Sequence, residues 1–150
     1  MLDRLGFQER FDCWNRDELD SMLEMYAEDA VFDVSAVFTD VAPVRGHDGM
    51  RTYWRELRET WGGLRLDPFE VLDVGRGRYV VDLRLSGEGR RSGVDVGQRF
   101  AFLYTFGRED GKVVRAELFP DLAAAIAAGE TRAHGPAPAG PTRVDDRVVG

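Results

Sequence analysis

The stretch Gly97–Phe106, GQRFAFLYTF, places an aromatic side chain at every second position four times in succession. Alternate residues of a β-strand point to the same face, so Phe100, Phe102, Tyr104 and Phe106 are expected on one face. Burying a large apolar ring stabilises a fold by roughly 2–3 kcal/mol, so this face should turn toward the interior. The pattern therefore predicts either a packed core or the wall of an apolar cavity.

Two polar groups share that aromatic face. Gln98 precedes the first ring, and Tyr104 carries a hydroxyl. Buried polar groups need hydrogen-bond partners. In one interpretation Gln98 lies at the sheet edge and the Tyr104 hydroxyl bonds a backbone carbonyl. In the other, both side chains orient a ligand.

The rest of the chain divides into early helices and late strands. Apolar spacing and turn residues predict helices over about Leu2–Trp14, Leu19–Tyr26, His47–Trp61 and Leu122–Ala128, and strands over Ala30–Phe38, Leu66–Val74, Arg78–Leu85, Val94–Phe106 and Lys112–Phe119. This order is typical of an α+β domain with a long, curved antiparallel sheet. Helices packed on the concave face of such a sheet leave room for a pocket.

Local signals set several of these boundaries. Asn15 followed by Glu18 has the spacing of a capping box before the second helix. His47 with Asp48 is interpreted as the N-cap of the third helix. The Gly62-Gly63 pair is expected to end that helix, and Gly129 to end the last one.

The domain is expected to span residues 1–130. Residues 131–150 hold three of the six prolines. A segment rich in proline, glycine and alanine is expected to be disordered.

Composition restricts the possible function classes. The net charge is −7, and residues 1–30 carry nine acids against three bases. The chain therefore lacks the basic stripe of a nucleic-acid-binding protein. No apolar run is long enough to span a membrane, and no signal-peptide pattern is present, so a cytoplasmic location is expected.

Few residues offer metal or nucleophilic chemistry. The single Cys13 excludes an internal disulfide and is expected to be a small buried apolar residue. The two histidines, His47 and His134, are far apart and lack acids at ligand spacing, so no metal site is expected. No motif for a cofactor is recognised, and none is predicted.

Three segments resemble a known family: MYAEDAVFDVS (Met25–Ser35), VRGHDGMRTYW (Val44–Trp54) and GREDGKVVRAELFPDLAAAIAAG (Gly107–Gly129). They are similar to the SnoaL-like branch of the nuclear transport factor 2-like superfamily, which includes ketosteroid isomerase-like proteins. The resemblance covers about residues 5–129. It implies a cone-shaped α+β fold, an apolar pocket for a small molecule and a homodimer formed through the sheet.

The same resemblance argues against steroid isomerisation. The position of the isomerase base falls on Val34, that of the tyrosine donor on Arg10, and that of the acidic oxyanion donor on Phe102. None of these residues can take the corresponding role.

Other members of the superfamily use different carboxylates. SnoaL-like polyketide cyclases use one carboxylate as acid and base, which makes Glu117 the first catalytic candidate here and Asp33 the second. Epoxide hydrolase-like members use an Asp–Arg–Asp set, to which Asp82, Arg84 and Glu117 correspond only weakly. This hydrolase interpretation ranks third.

The strand patterns bear on which way these carboxylates face. In the strand Lys112–Phe119, periodicity favours Ala116 and Leu118 inside, whereas the family resemblance favours Glu117 inside, and the two arguments are evenly balanced. Asp33 faces outward if its neighbours are core residues. Asp82 and Arg84 are expected on the outer or dimer face.

Two function classes stay open at this point. One is a cofactor-free isomerase, cyclase or dehydratase that transfers a proton on an apolar carbonyl compound; the other is a non-catalytic binding or dimerisation module. In either case the predicted substrate-binding residues are those of the aromatic strand and three helix aromatics: Gln98, Phe100, Phe102, Tyr104, Trp14, Tyr26 and Trp54.

Overall fold

A computed structural model describes residues 6–89, 95–132 and 142–144 of the chain. In these ranges the elements follow the predicted order of helices and then strands. The helices are α1 (Phe7–Asn15), α2 (Leu19–Leu23), α3 (Gly46–Thr60) and α4 (Leu122–Arg132). The strands are β1 (Tyr26–Asp33), β2 (Val44–Arg45), β3 (Trp61–Gly75), β4 (Arg78–Gly89), β5 (Asp95–Phe106), β6 (Val113–Phe119) and β7 (Thr142–Val144).

The strands form one sheet in the order β2-β1-β6-β5-β4-β3-β7. Neighbouring strands are antiparallel except for β1 and β6, which are parallel. The strand that carries the alternating rings, β5, lies between β4 and β6. The predicted α+β class and the antiparallel run of four late strands are confirmed. No helix of the described residues is long and apolar enough to cross a bilayer.

Each face of β5 packs against different helices. Phe100, Phe102 and Tyr104 belong to the main core, which also holds the buried residues of α1, α2 and α3. Ala101 and Leu103 belong to a smaller core beneath α4. The early helices therefore cover the concave face of the sheet, and α4 covers part of the outer face.

The first strand begins and ends earlier than the sequence predicts. Tyr26 is the first residue of β1 rather than part of the second helix, because it pairs with Val113 of β6. At the other end, the Asp33 carboxylate accepts hydrogen bonds from the Ser35 backbone N–H at 2.9 Å and the Ser35 hydroxyl at 2.6 Å. Such an Asx turn ends the strand before Phe38.

The predicted capping box is wrong. Glu18 is the N-cap residue of α2 and makes no side-chain cap. Asn15 instead binds the backbone of Leu66: its amide donates to the Leu66 carbonyl at 3.0 Å, and its carbonyl oxygen accepts from the Leu66 N–H at 2.9 Å. Asn15 thus joins the end of α1 to β3.

The glycines also act differently from the prediction. The Gly62-Gly63 pair lies inside β3, which begins at Trp61 and pairs there with β4. Gly129 lies inside α4, which continues to Arg132. A Cβ atom at Gly129 would lie 2.9 Å from Cγ2 of Val74 and 3.3 Å from Cδ1 of Leu103. Glycine is therefore what allows the helix to approach the sheet this closely.

Parts of several predicted elements lie outside the described residues: the first residues of the first helix, the turn at 90–94 and most of the tail. Of the tail after Arg132, Thr142–Val144 is described and pairs with β3 at the edge of the sheet. The domain boundary near residue 130 stays a prediction.

We expect Gly129→Val to destabilise the protein by about 1–3 kcal/mol, because added volume at a tightly packed contact forces the helix away from the sheet. Urea unfolding measures the change. Ala127→Val is the matched control, since Ala127 is exposed on the same helix. Equal losses in the two variants would contradict the close contact.

A candidate ligand pocket on the concave face

The concave face of the sheet and the three early helices enclose a cavity of about 690 Å³. Aromatic and aliphatic side chains make up most of its wall. Among the described residues that line it, none carries a charge. The polar side-chain groups there come from tyrosine, tryptophan, Ser86 and Gln98.

The sheet side of the cavity is a continuous aromatic surface. The ring centres of Phe102 and Tyr104 lie 5.2 Å apart, and that of Phe32 lies 5.7 Å from Phe102. At the closed end, Phe7 of α1 packs 5.0 Å from Tyr104. These tilted contacts fix the rings against one another.

The helix side is built around two tryptophans. Trp14 and Trp54 meet edge to face with ring centres 5.7 Å apart, and Tyr26 lies 5.6 Å from Trp54. The indole N–H of Trp14 donates to the Leu64 carbonyl at 3.1 Å, which fixes the orientation of that ring.

The open end of the cavity is bordered by the segment that follows β1. Val37, Phe38 and Val41 of this segment line the cavity. Phe38 is 40% exposed, and its ring centre lies 6.4 Å from that of Phe100. Gln98 lies near this opening and is exposed.

Two hydroxyl groups deep in the cavity lack partners. Tyr26 and Tyr104 are both fully buried, and neither hydroxyl has a hydrogen-bond partner in the described part of the protein. The two groups interact electrostatically, but their geometry is not that of a hydrogen bond. Burial raises the pKa of both phenols, so they stay protonated at neutral pH.

All seven predicted substrate-binding residues line this cavity. Their role in binding stays a prediction. The interpretation in which Tyr104 bonds a backbone carbonyl is wrong, because its hydroxyl has no such partner. The sequence analysis does not predict that Val37, Phe38 and Val41 line the cavity. The one available signal is that these apolar residues lie beside a predicted loop.

The two candidate catalytic carboxylates lie on the other face of the sheet. Glu117 stands opposite Leu103, which packs beneath α4, and Asp33 stands beside Glu117 in the parallel pairing. Leu118 points into the cavity instead. Periodicity therefore gave the correct face of β6, and the expectation from the family resemblance that Glu117 points inward is wrong.

An arginine holds these two carboxylates together. Arg115 lies 3.3 Å from Oδ2 of Asp33 through Nη2 and 3.3 Å from Oε1 of Glu117 through Nε. Both acids are mostly shielded from solvent, with side chains 15% and 6% exposed. A buried carboxylate needs such a partner, so this arrangement has a structural explanation.

The residues that correspond weakly to the hydrolase Asp–Arg–Asp set do not line the cavity either. Asp82 is buried on the outer face and forms an ion pair with Arg99. Arg84 stands opposite Arg99 on the same face and is exposed. The expectation that Asp82 and Arg84 face outward is confirmed.

Other residues with possible chemistry have structural contacts. His47 does not cap α3; its Nε2 lies 2.9 Å from the backbone carbonyl of Tyr26 and holds the start of β1. Cys13 is buried as predicted, and burial raises the pKa of its thiol. In the described ranges no three His, Cys, Asp or Glu side chains come together as a possible metal site.

The sequence profile of the SnoaL-like domain matches residues 7–116, most of the chain. The chain belongs to the SnoaL-like domain family. No curated protein matches this SnoaL-like chain.

Solved structures with the same fold align with most of the chain. A ketosteroid isomerase-like protein from Catenulispora acidiphila, in complex with trimethylamine, is 9% identical over 85% of this chain and 92% of its own, with a TM-score of 0.68. TerC, co-crystallised with polyporic acid, is 22% identical over 81% of this chain and 92% of its own, with a TM-score of 0.65. RV0760c from Mycobacterium tuberculosis, in complex with estradiol-17beta-hemisuccinate, is 16% identical over 77% and 91%, with a TM-score of 0.64. These likenesses confirm the predicted cone fold.

We expect the free energy of unfolding to fall as the pH rises above about 10. The unfolded chain releases its phenolic protons near pH 10, whereas folded Tyr26 and Tyr104 keep theirs, so alkali favours the unfolded state. Each such tyrosine contributes a slope of up to about 1.4 kcal/mol per pH unit. Denaturant unfolding between pH 9 and 11 measures it. A slope unchanged in the double variant Tyr26→Phe/Tyr104→Phe would contradict the assignment.

Proposed function

We propose that this SnoaL-like protein binds a small, cyclic, largely apolar molecule in the concave-face cavity. The observation that carries the proposal is the uncharged aromatic cavity of about 690 Å³ between sheet and helices. Its volume is within the range of small-molecule sites, about 300–1,000 Å³. Flat rings such as Phe102 and Trp54 suit a flat or cyclic ligand body.

A void of this size has an energetic cost for the free protein. Protein interiors are packed about as densely as organic crystals, and unfilled apolar space loses dispersion contacts. A ligand that fills the cavity recovers those contacts and removes apolar surface from water. TerC was co-crystallised with polyporic acid and RV0760c is in complex with estradiol-17beta-hemisuccinate, and these complexes support a small-molecule binding role for this protein.

The geometry favours binding over carboxylate-based proton transfer. Glu117 and Asp33 face away from the cavity, and no described residue lining the cavity is a carboxylic acid. A phenol whose pKa is raised stays protonated at neutral pH, so it can donate a hydrogen bond but cannot serve as a general base. An isomerase, cyclase or dehydratase activity would therefore depend on polarising a carbonyl group rather than on an acid–base carboxylate. The epoxide hydrolase interpretation has no described charged group in the cavity to support it.

The homodimer implied by the family resemblance stays a prediction. It would use the part of the outer sheet face that α4 leaves uncovered. Sedimentation equilibrium of the purified protein would test it.

We expect fluorene, a flat tricyclic hydrocarbon, to bind the purified protein, and Leu85→Trp to weaken that binding at least tenfold. Leu85 lines the cavity, so a larger ring there occupies the space that the ligand needs. Equilibrium dialysis measures the affinity without an optical label.

Arg84→Trp is the matched control, because Arg84 is the preceding residue and faces the opposite side of the sheet. It should leave fluorene binding unchanged. Absence of binding to the wild-type protein, or equal losses in the two variants, would contradict a ligand site in this cavity.

A further inference from the structure

The unpartnered hydroxyls of Tyr26 and Tyr104 are the least expected polar groups in the cavity. Buried hydroxyls are nearly always hydrogen-bonded, because a hydroxyl buried without a partner loses its hydrogen bonds to water and gains none in return. Here two such groups, both 0% exposed, lie near each other in the same cavity wall. A group that enters the cavity and accepts hydrogen bonds would satisfy both.

The surrounding contacts hold the two rings in fixed positions. Tyr26 packs 5.6 Å from Trp54, and its backbone carbonyl is held by His47 at 2.9 Å. Tyr104 packs between Phe7 at 5.0 Å and Phe102 at 5.2 Å. Donors fixed in this way need little rearrangement when an acceptor arrives.

The chemistry of the wall selects a neutral acceptor. None of the described lining residues carries a positive charge. An anionic carboxylate or phosphate would be buried there without a counter-ion, which is costly. A carbonyl oxygen has two lone pairs and can accept a hydrogen bond from each tyrosine without bringing a charge.

We propose that Tyr26 and Tyr104 form a two-donor site for one neutral carbonyl oxygen of the ligand. The inference rests on the proposed function and adds the substrate class: a cyclic, apolar compound with a ketone, quinone or ester carbonyl at one end. The carbonyl end lies beside the two tyrosines at the closed end of the cavity. The apolar body extends past Phe100 toward Phe38 at the opening.

The test compares fluorene with 9-fluorenone, which has the same ring system plus one ketone oxygen. Equilibrium dialysis gives the ratio of the two dissociation constants for the wild type and for Tyr26→Phe/Tyr104→Phe. Comparing the ratios cancels the difference in hydration between the two probes. We expect the preference for fluorenone to fall about tenfold or more in the double variant, since two hydrogen bonds of about 0.5–1.5 kcal/mol each are lost.

Tyr79→Phe is the matched control. Tyr79 packs against Phe7 and Phe106 on the same sheet face but does not line the cavity. In Tyr79→Phe the ratio of the fluorene and 9-fluorenone dissociation constants should equal that of the wild type. If fluorene binds but the ratio is the same in wild type and double variant, the two-donor site is overturned while the proposed function stands. If neither probe binds, the proposed function itself fails.

Stability of the free protein gives a second readout. Removing hydroxyls that lack partners should leave the urea midpoint of unfolding unchanged or raise it. Urea unfolding without ligand measures this. A clear loss of stability in both single variants would mean that the hydroxyls already have internal partners, such as bound water, and would overturn the proposal.

Discussion

The strict alternation of side chains along β5 determines where the pocket lies and which residues form its wall. Because successive side chains point to opposite faces, four rings turn to the concave side while Ala101 and Leu103 turn to α4. Pairing with β4 and β6 on either side transmits that register to the neighbouring strands. A shift of one residue would place the rings under α4 and remove the wall of the cavity. The location of the pocket is thus a consequence of strand register.

The same register decides the chemistry of the pocket. Glu117 stands opposite Leu103, so it cannot share a face with Phe102. Asp33 pairs with Glu117 in the parallel ladder between β1 and β6, so its side chain lies on the same outer face. The carboxylates are thereby held by Arg115 away from the cavity, and the cavity wall is left with hydroxyls as its buried polar groups. A site of this kind is suited to holding an apolar molecule and polarising one oxygen atom on it.

Much of the fold and of the pocket wall could be predicted from periodicity, because a half-buried strand has a simple two-residue repeat. The ring face of β5 and the outward direction of Asp82 follow from that repeat alone. Contacts between distant segments could not be predicted: Tyr26 leaves the helical pattern because it pairs with Val113, and Asn15 caps nothing because Leu66 lies beside it. For β6, the two-residue repeat predicts the correct inner face, whereas the family resemblance predicts the wrong one. The missing partners of the two tyrosine hydroxyls are a property of three-dimensional packing, for which one sequence holds no signal.

The carbonyl stretching band of bound 9-fluorenone reports both the occupancy of an apolar site and hydrogen bonding to the ketone oxygen. Infrared difference spectra would be recorded for the complexes of the wild-type protein and of Tyr26→Phe/Tyr104→Phe. The band should lie at lower frequency in the wild-type complex than in the variant complex, since donors to the oxygen weaken the C=O bond. A wild-type band at the same frequency as in the variant complex and in a hydrocarbon solvent would contradict hydrogen bonding by the two tyrosines.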